Sequence, residues 1–351
     1  MLLFAIIITL IYIIINPRRP ADSISVNDIV LENYNSYESW PKSFYDEDMK
    51  ILITAYASGP DHGGAFKDIY VSVAMEGKVE SYLVVDAGTA SVRPIGIFKT
   101  EKKYVIIATW AESWVDGISK ILRYESDNFT NWTCAETTFP FVTDNAMIIN
   151  IDNAFLIDGR LFANMSYYED GEAYICYSDD YGYTWSRSDK LMFEGEDVPC
   201  ECAIAKIDDY LILLSRKDIP IHSQPVPLYF SFSTDDGKTW APLTDTQGIT
   251  DANASNLSIS KYSENKIIVM FGTRTNGSAG IYYSITDKED AKKGKFSTPT
   301  IIVEGFPIGD FGYPSCVSTP EGIYFSYYSL SPENSKCTTS VYIDKLEIMD
   351  K

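Results

Sequence analysis

Arginine follows an apolar strand pattern at two places in this chain. Arg216 comes directly after the run Tyr210–Ser215, and Arg274 comes after Phe271-Gly-Thr273. A guanidinium group stays charged at neutral pH and presents a fork of N–H donors that matches the two oxygens of a carboxylate. Each arginine could pair with a surface aspartate, but a position after an apolar strand favours an anion-binding site. Because the formal net charge is -20, such a site needs its own local cations.

Few other reactive groups are available. The chain has 2 histidines, His62 and His222, and no His or Cys spacing resembles a zinc site. Asp61 and His62 precede two glycines, which is also an ordinary turn sequence. We therefore expect no metal and no cofactor.

The composition excludes nucleic-acid binding and disorder. There are 29 Lys and Arg against 49 Asp and Glu, without the basic cluster that phosphate binding requires. Hydrophobic residues make up 45% of the chain, enough to bury a large core. An aromatic content of 14%, with 21 Gly and 16 Pro, favours strands and turns.

One eight-residue pattern, Ser-x-Asp-x-Gly-x-Thr-Trp, occurs at Ser178–Trp185 and again at Ser233–Trp240. The aspartate can accept hydrogen bonds from turn amides, the glycine can take a positive φ, and the tryptophan can pack the hairpin onto its neighbour. Degenerate copies lie at 126–132 and 284–287, with a weaker one near 72–77.

The spacing of these copies suits the four-stranded blade of a β-propeller. No amphipathic helical stretch is present, so we predict an all-β, six-bladed β-propeller. Its repeating units are predicted near 30–85, 86–140, 141–195, 196–248, 249–304 and 305–350.

The first residues differ from the rest. Leu2–Ile15 is an unbroken apolar run, which as a helix spans about 21 Å, less than a bilayer core of about 30 Å. Its length suits a signal peptide, although no basic stretch precedes it and no clean cleavage site follows. Arg18 and Arg19 would by the positive-inside rule hold the following domain in the cytosol. We predict a signal peptide or membrane anchor with a short linker over 1–22 and the propeller over 23–351.

Two patterns favour the secretory pathway, with a membrane-anchored or secreted product. Glycosylation sequons begin at Asn128, Asn131, Asn164, Asn253, Asn256 and Asn276. An even number of cysteines is compatible with disulfides: Cys134, Cys176, Cys200, Cys202, Cys316 and Cys337.

The repeated turn resembles the Asp-box (BNR repeat) of sialidase-like propellers, and further segments resemble exo-sialidases over nearly the whole predicted propeller. Glu201–Arg216 is similar to the family's Glu-to-Arg hairpin, and Arg274 to its next arginine. Asp310–Ser315, which reads Asp-Phe-Gly-Tyr-Pro-Ser, resembles the last-blade motif that carries a tyrosine. Asp61 fits the loop of the family's acid/base residue.

This resemblance implies a glycosidase that retains configuration through a tyrosine intermediate. Tyr313 would be the nucleophile and Glu201 the acceptor of its proton, because a phenol with a pKa of about 10 is otherwise a poor nucleophile. Asp61 would protonate the leaving oxygen and then activate water; His62 could replace it. Sialidases are a known exception to the rule of two catalytic carboxylates. The implied substrate-binding residues are Lys42, His62, Arg216, Arg274 and Asp310. Lesser candidates for lining the cleft are Asp68, Arg93, Trp110 and Trp114.

The chain departs from the family in the first blade. The family has an Arg-x-Pro motif there, whereas this chain reads Trp40-Pro41-Lys42. The ammonium group of lysine lacks the bidentate fork of a guanidinium group, so it fixes the orientation of a bound carboxylate less precisely. A related branch of sialidase-like propellers, which shares the Asp-x-Gly-Tyr-Pro motif, acts on other sugars or has no known substrate, and it fits at least as well.

We predict a monomeric glycoside hydrolase that removes a terminal, anionic sugar from glycans or glycoconjugates. The alternative is a non-catalytic carbohydrate-binding or adhesion propeller. A scaffold for protein partners would instead show an exposed apolar patch on the blade rim. The enzyme requires the Tyr313 hydroxyl within hydrogen-bond reach of Glu201, with Asp61 across one pocket.

Overall fold

A computed structural model gives the architecture of most of the chain. It describes residues 29–31, 36–62, 67–75, 78–112, 120–138, 148–150, 152–167, 172–194, 198–217, 225–253, 256–275, 277–304, 310–330 and 339–346. Residues 1–22, His222, Trp114, Asn276 and Cys337, which carry predictions, lie outside these ranges. In the described part, no helix is both long enough and apolar enough to cross a membrane.

Six antiparallel sheets form the six blades of a propeller, as predicted. Each blade begins with its innermost strand and proceeds outward. Blade 1 contains β2 (Tyr37–Asp46), β3 (Ile51–Gly59), β4 (Asp68–Met75) and β5 (Lys78–Val85). Blade 2 contains β6 (Ser91–Lys99), β7 (Tyr104–Ala111), β8 (Lys120–Ser126) and β9 (Thr133–Glu136). Blade 3 contains β10 (Ile148–Asn150), β11 (Ala154–Ile157), β12 (Arg160–Tyr167), β13 (Ala173–Ser178) and β14 (Ser186–Arg187).

The remaining blades follow the same plan. Blade 4 contains β15 (Pro199–Ile207), β16 (Tyr210–Lys217), β17 (Tyr229–Ser233) and β18 (Thr244–Asp245). Blade 5 contains β19 (Leu257–Lys261), β20 (Lys266–Thr273), β21 (Gly280–Asp287), the helix α1 (Lys288–Ala291) and β22 (Thr300–Glu304). Blade 6 contains β23 (Gly312–Thr319), β24 (Gly322–Leu330), β25 (Thr339–Leu346) and, outermost, β1 (Ile29–Leu31).

The ring is closed by pairing the two ends of the described chain. β1 lies antiparallel to β25, with Val30 opposite Tyr342. The unit predicted over 30–85 therefore begins with residues that belong to the last blade. This pairing covers the outer edge of β25, which would otherwise expose unpaired backbone groups.

The hydrophobic core is divided among the blade interfaces. One cluster lies between each pair of neighbouring blades. The cluster between blades 6 and 1 contains Tyr37, Leu52, Tyr328, Val341 and Ile343, all buried. Strands covered on both faces explain the long apolar runs in the sequence.

The repeated turns have the predicted hydrogen bonds. In the second copy, Asp235 accepts hydrogen bonds from the Thr239 amide at 2.9 Å and the Thr239 hydroxyl at 2.7 Å. Gly237 has φ +80°, and its Cα lies against Phe162 of the preceding blade. In the degenerate copy at 126–132, Asn128 takes the place of the aspartate and accepts from the Thr130 amide at 3.1 Å. The copy at 284–287 forms the end of β21, and the helix α1 follows it in place of a turn.

Two indications of secretion are weakened by burial. Asn164, Asn253 and Asn256 are buried, with relative exposures of 3%, 2% and 1%, so these sequons are inaccessible in the folded chain. Asn128 and Asn131 are exposed. Among the described residues, Cys134, Cys176, Cys202 and Cys316 form no disulfide. The last three are buried in the cores of different blade interfaces, which keeps them apart.

Candidate active site

Irregular strand pairing turns side chains toward one end of the propeller axis. The inner strands β2, β6, β15 and β23 each carry a register shift in their first half. Trp40 and Tyr313 lie at two of these shifts, have φ of 54° and 53°, and precede a proline. Bulges re-aim side chains and are frequent beside active sites, and a left-handed non-glycine residue costs about 1–3 kcal/mol. These bulges therefore mark this end of the ring as the candidate site.

Tyr313 and Glu201 meet at this end, 112 residues apart in sequence. The Tyr313 hydroxyl donates a hydrogen bond to Oε1 of Glu201. The other oxygen, Oε2, accepts from Nε of Arg216 at 2.5 Å. Burial and the Glu201 charge raise the pKa of Tyr313 well above its usual value, so the free phenol holds its proton. Nucleophilic attack by Tyr313 would therefore require concerted transfer of its proton to Glu201.

A second cluster surrounds Arg274 and Asp310. Nη2 of Arg274 donates to Oδ1 of Asp310 at 2.9 Å, and Nε donates to the Phe311 carbonyl at 3.0 Å. The Tyr328 hydroxyl donates to the same Asp310 oxygen at 2.5 Å. Burial raises the pKa of Asp310 to about 6. The Tyr328 ring lies 5.7 Å from the Tyr313 ring, which joins the two clusters.

His62 touches the other oxygen of Asp310. Its Nδ1 lies 2.5 Å from Oδ2 of Asp310 and 2.9 Å from the Tyr37 hydroxyl. Partial burial, and then the nearby Arg93, Arg274 and Lys67 cations, lower the pKa of His62 to about 4. The structure thus brings His62, Asp310 and Arg274 into one cluster.

Asp61 lies beside His62 on the exposed turn that follows β3. Its charge acts on Lys67, a fully buried lysine whose ammonium lies 5.1 Å from the Tyr37 ring centroid and 5.4 Å from that of Trp40. Burial lowers the pKa of Lys67 to about 8. Asp61 is therefore exposed to solvent, and its role as the acid/base stays a prediction.

Lys42 is placed differently from the predicted substrate-binding cations. It is buried, with a relative exposure of 8%, and its ammonium donates to Oδ1 of Asn153. Burial lowers its pKa to about 8. Lys42 and Asn153 also line an axial cavity of about 390 Å³ between the inner strands. Lys42 is thus paired with Asn153 at the edge of this cavity.

Arg93 is a lesser candidate in the sequence, but in the structure it lies beside two residues of the candidate site, Trp40 and His62. Its guanidinium carbon lies 3.6 Å from the Trp40 ring centroid, and Nη2 donates to the His62 carbonyl at 3.2 Å. Burial lowers its pKa to about 9, which leaves it charged at neutral pH. A signal was present, because Arg93-Pro94 opens an inner strand as Trp40-Pro41 and Tyr313-Pro314 do. Blade 2 thus places a guanidinium group against Trp40 of blade 1.

Asp152 was missed by the sequence analysis. Its Oδ2 is shielded from solvent and has no hydrogen-bond partner in the structure. Burial and the Glu201 charge raise its pKa to about 7, against the opposite effect of Lys42, Arg216 and Arg93. A single aspartate before an irregular strand gives no signal in the sequence.

Two of the lesser cleft candidates have structural contacts elsewhere. Asp68 accepts a hydrogen bond from the Ala87 amide at 2.9 Å, which fixes a blade-1 turn. Trp110 packs in the cluster between blades 1 and 2, with the Lys120 ammonium 5.4 Å from its ring.

This architecture is shared with solved structures of low sequence identity. The chain is similar to a protein of unknown function from Dyadobacter fermentans, with a TM-score of 0.75, 14% identity and coverage of 92% of this chain and 99% of that one. It is also similar to the endosialidase of phage phi92, with a TM-score of 0.70, 11% identity and coverage of 93% and 70%. The chain has the fold of sialidase propellers.

A third neighbour is the Trypanosoma rangeli sialidase in complex with 2,3-difluorosialic acid, described as a covalent intermediate. The TM-score is 0.64 and the identity 15%, with coverage of 90% of this chain and 55% of that one. The chain thus spans about half the length of that sialidase. No protein-family model matches the sequence, and no curated protein sequence is similar to it.

Proposed function

We propose that this chain is a glycoside hydrolase of the exo-sialidase type, which removes a terminal anionic sugar from a glycan or glycoconjugate. The observation that carries the proposal is the hydrogen bond from Tyr313 to Glu201, surrounded by three arginines. A phenol–carboxylate pair supplies a nucleophile and its base, and clustered guanidinium groups supply an anion site.

The charges around Tyr313 favour an anionic substrate. Arg216 lies against Glu201, Arg274 contacts Tyr328 beside Tyr313, and Arg93 lies on Trp40, whose ring is 6.5 Å from that of Tyr313. In a chain with a net charge of -20, this concentration of guanidinium groups is a local exception. A neutral tyrosine nucleophile suits such a substrate, because a carboxylate nucleophile would repel it.

The chemistry would proceed in two balanced steps. In the first, the Tyr313 oxygen bonds to the anomeric carbon, the Tyr313 proton passes to Oε1 of Glu201, and the leaving oxygen takes a proton from a donor on the turn after β3. In the second, water loses a proton to that donor and attacks the anomeric carbon, and Tyr313 recovers its proton from Glu201. That turn carries both Asp61 and His62.

The test is turnover by the Tyr313→Phe variant. The purified full chain is assayed against a panel of fluorogenic glycosides that includes a sialoside. We expect wild-type turnover of an anionic glycoside and a loss of at least about 10³-fold in kcat for Tyr313→Phe, because the nucleophilic oxygen is gone. Tyr324→Phe, at the far end of β24, is the control and should leave kcat unchanged.

The same panel of glycosides distinguishes a hydrolase from the alternative, a propeller that binds carbohydrate without hydrolysing it. Arg216 forms an ion pair with Glu201, and Arg274 forms one with Asp310. A propeller that only binds carbohydrate could use the same two arginines to hold a glycan. Glycan binding without turnover of any glycoside would favour a carbohydrate-binding or adhesion propeller. Unchanged activity in Tyr313→Phe would rule out the proposed nucleophile.

The proposal includes entry into the secretory pathway through the apolar residues 2–15, as a membrane-anchored or secreted monomer. Its support is the apolar run and the exposed sequons at Asn128 and Asn131. Expression in a eukaryotic host should give a glycosylated product whose mobility shifts in Asn131→Gln. An unglycosylated cytosolic product would contradict this assignment.

A further inference from the structure

His62 is held by contacts that select one of its two ring nitrogens. Nδ1 lies 2.5 Å from Oδ2 of Asp310, an ion-pair contact without hydrogen-bond geometry, and forms a hydrogen bond with the Tyr37 hydroxyl at 2.9 Å. Nε2 is therefore the nitrogen left to meet a ligand. The side chain of His62 is 51% exposed, whereas that of Asp310 is 24% exposed. A partly exposed imidazole supported from behind by a carboxylate is the arrangement of a general acid/base.

Asp310 is itself fixed in orientation. Its Oδ1 accepts from Tyr328 at 2.5 Å and from Arg274 at 2.9 Å, which turns Oδ2 toward His62. The ring of His62 packs edge-on against those of Tyr37 and Trp40, with centroids 5.7 and 5.2 Å away. The imidazole is thus held by blades 1 and 6 together.

We propose that the pair formed by His62 and Asp310, and not Asp61, is the acid/base group of this site. This inference rests on the proposed glycosidase function. Asp61 is exposed to solvent, and its charge acts on Lys67. His62, in contrast, contacts Asp310 in the cluster that contains Arg274. Its ring also packs against that of Trp40, which in turn packs against the ring of Tyr313.

Proton transfers through this pair balance in both steps. The protonated pair donates the Nε2 proton of His62 to the leaving oxygen as the glycosidic bond breaks. The neutral imidazole then keeps its proton on Nδ1, the nitrogen beside Asp310, so Nε2 carries a free electron pair. Nε2 accepts a proton from the water that cleaves the bond between Tyr313 and the sugar, which restores the starting state.

The surrounding charges place the proton of the pair in an acidic pH range. His62 faces the cations Arg93, Arg274 and Lys67 and the anion Glu201, and burial with these cations lowers its pKa to about 4. Burial raises the pKa of Asp310 to about 6, against the hydrogen bond from Tyr328. The Asp310 carboxyl therefore loses its proton as the pH rises through about 6, and activity that needs the protonated pair falls there.

The kinetic test uses two glycosides of one sugar that differ in the leaving group. His62→Asn keeps a polar group near the position of Nδ1 but removes Nε2; Asp61→Asn is the matched control on the same turn. We expect His62→Asn to lose at least about 100-fold in kcat/KM on an alkyl glycoside and less than about tenfold on a nitrophenyl glycoside, which needs no acid. The activity of His62→Asn should also no longer decrease above about pH 6. The reverse pattern, with the loss in Asp61→Asn, would overturn the proposal.

A second measurement does not depend on turnover. The chain has 2 histidines, so imidazole ¹⁵N resonances can be assigned with a His222→Gln variant. We expect neutral His62 to carry its proton on Nδ1 and its titration to change in Asp310→Asn. A proton on Nε2, or a titration that ignores Asp310, would overturn the pairing. Absence of wild-type turnover together with the expected spectra would overturn the glycosidase but retain the paired imidazole.

Discussion

At the scale of single residues, arginine positions decide what the site can hold. Arg93 occupies the second blade, while the first blade offers the buried Lys42. A guanidinium group can stack flat on an indole and still present N–H donors at its edge, which an ammonium group cannot do. Under the proposed function, the stack on Trp40 makes Arg93 the candidate to replace the arginine that the first blade lacks.

Replacement of Arg93 by lysine tests this assignment. We expect Arg93→Lys to lower kcat/KM for an anionic glycoside about 30-fold, equivalent to about 2 kcal/mol for a charged hydrogen bond, mostly through KM. A neutral glycoside should be affected much less.

The matched control is Arg187→Lys, because Arg187 lies on the Tyr174 ring at 4.5 Å in an exposed position of blade 3. If Arg93→Lys left KM for the anionic glycoside unchanged, Arg93 would have no part in anion binding.

At the scale of elements, two kinds of local feature perform different tasks. Bulges on the inner strands aim Trp40 and Tyr313 at the axis. The Asp-containing turns lie on the outer hairpins of blades 3 and 4 and hold those blades in shape, with Asp235 accepting three side-chain and backbone hydrogen bonds. The turns should therefore affect stability and leave the site untouched.

Removal of one turn aspartate measures this separation. We expect Asp235→Ala to lower the free energy of unfolding by about 2 kcal/mol, since several donors lose their acceptor, with kcat unchanged. Thr234→Ala, at an exposed position of the same turn, should change neither. Denaturant unfolding and the glycosidase assay provide the two readouts; lost activity at native stability would contradict the structural role.

At the scale of the whole molecule, ring closure keeps the site together. Tyr313 and Glu201 come from blades 6 and 4, and Arg93 from blade 2, so every contact among them depends on the order of the blades. The pairing of β1 with β25 completes blade 6 and protects its edge.

Loss of β1 should weaken the ring as a unit. A chain that begins at Ser36 is compared with one that begins at Ser23. We expect a lower Tm by about 5 °C for the shorter chain, from about 2–3 kcal/mol of lost backbone pairing, and more aggregation through the exposed edge of β25. Equal Tm values would show that β1 does not contribute to closure.

The sequence determined the features that depend on neighbouring residues. The Ser-x-Asp-x-Gly-x-Thr-Trp turns, the strand periodicity and the number of blades could be predicted, because hydrogen bonds within a turn and alternation along a strand need only local spacing. Burial is not such a feature: the sequons at Asn164, Asn253 and Asn256 gave no sign that these side chains are buried.

The tertiary structure decided which polar residues share the site. Arg93 and Asp152 join Glu201, Arg216 and Tyr313 only because the inner strands of separate blades converge on one axis. Likewise, the contact between His62 and Asp310 bridges the first and last blades. Charge, burial and proton affinity at these positions arise from neighbours that are distant in sequence, so no local pattern could encode them.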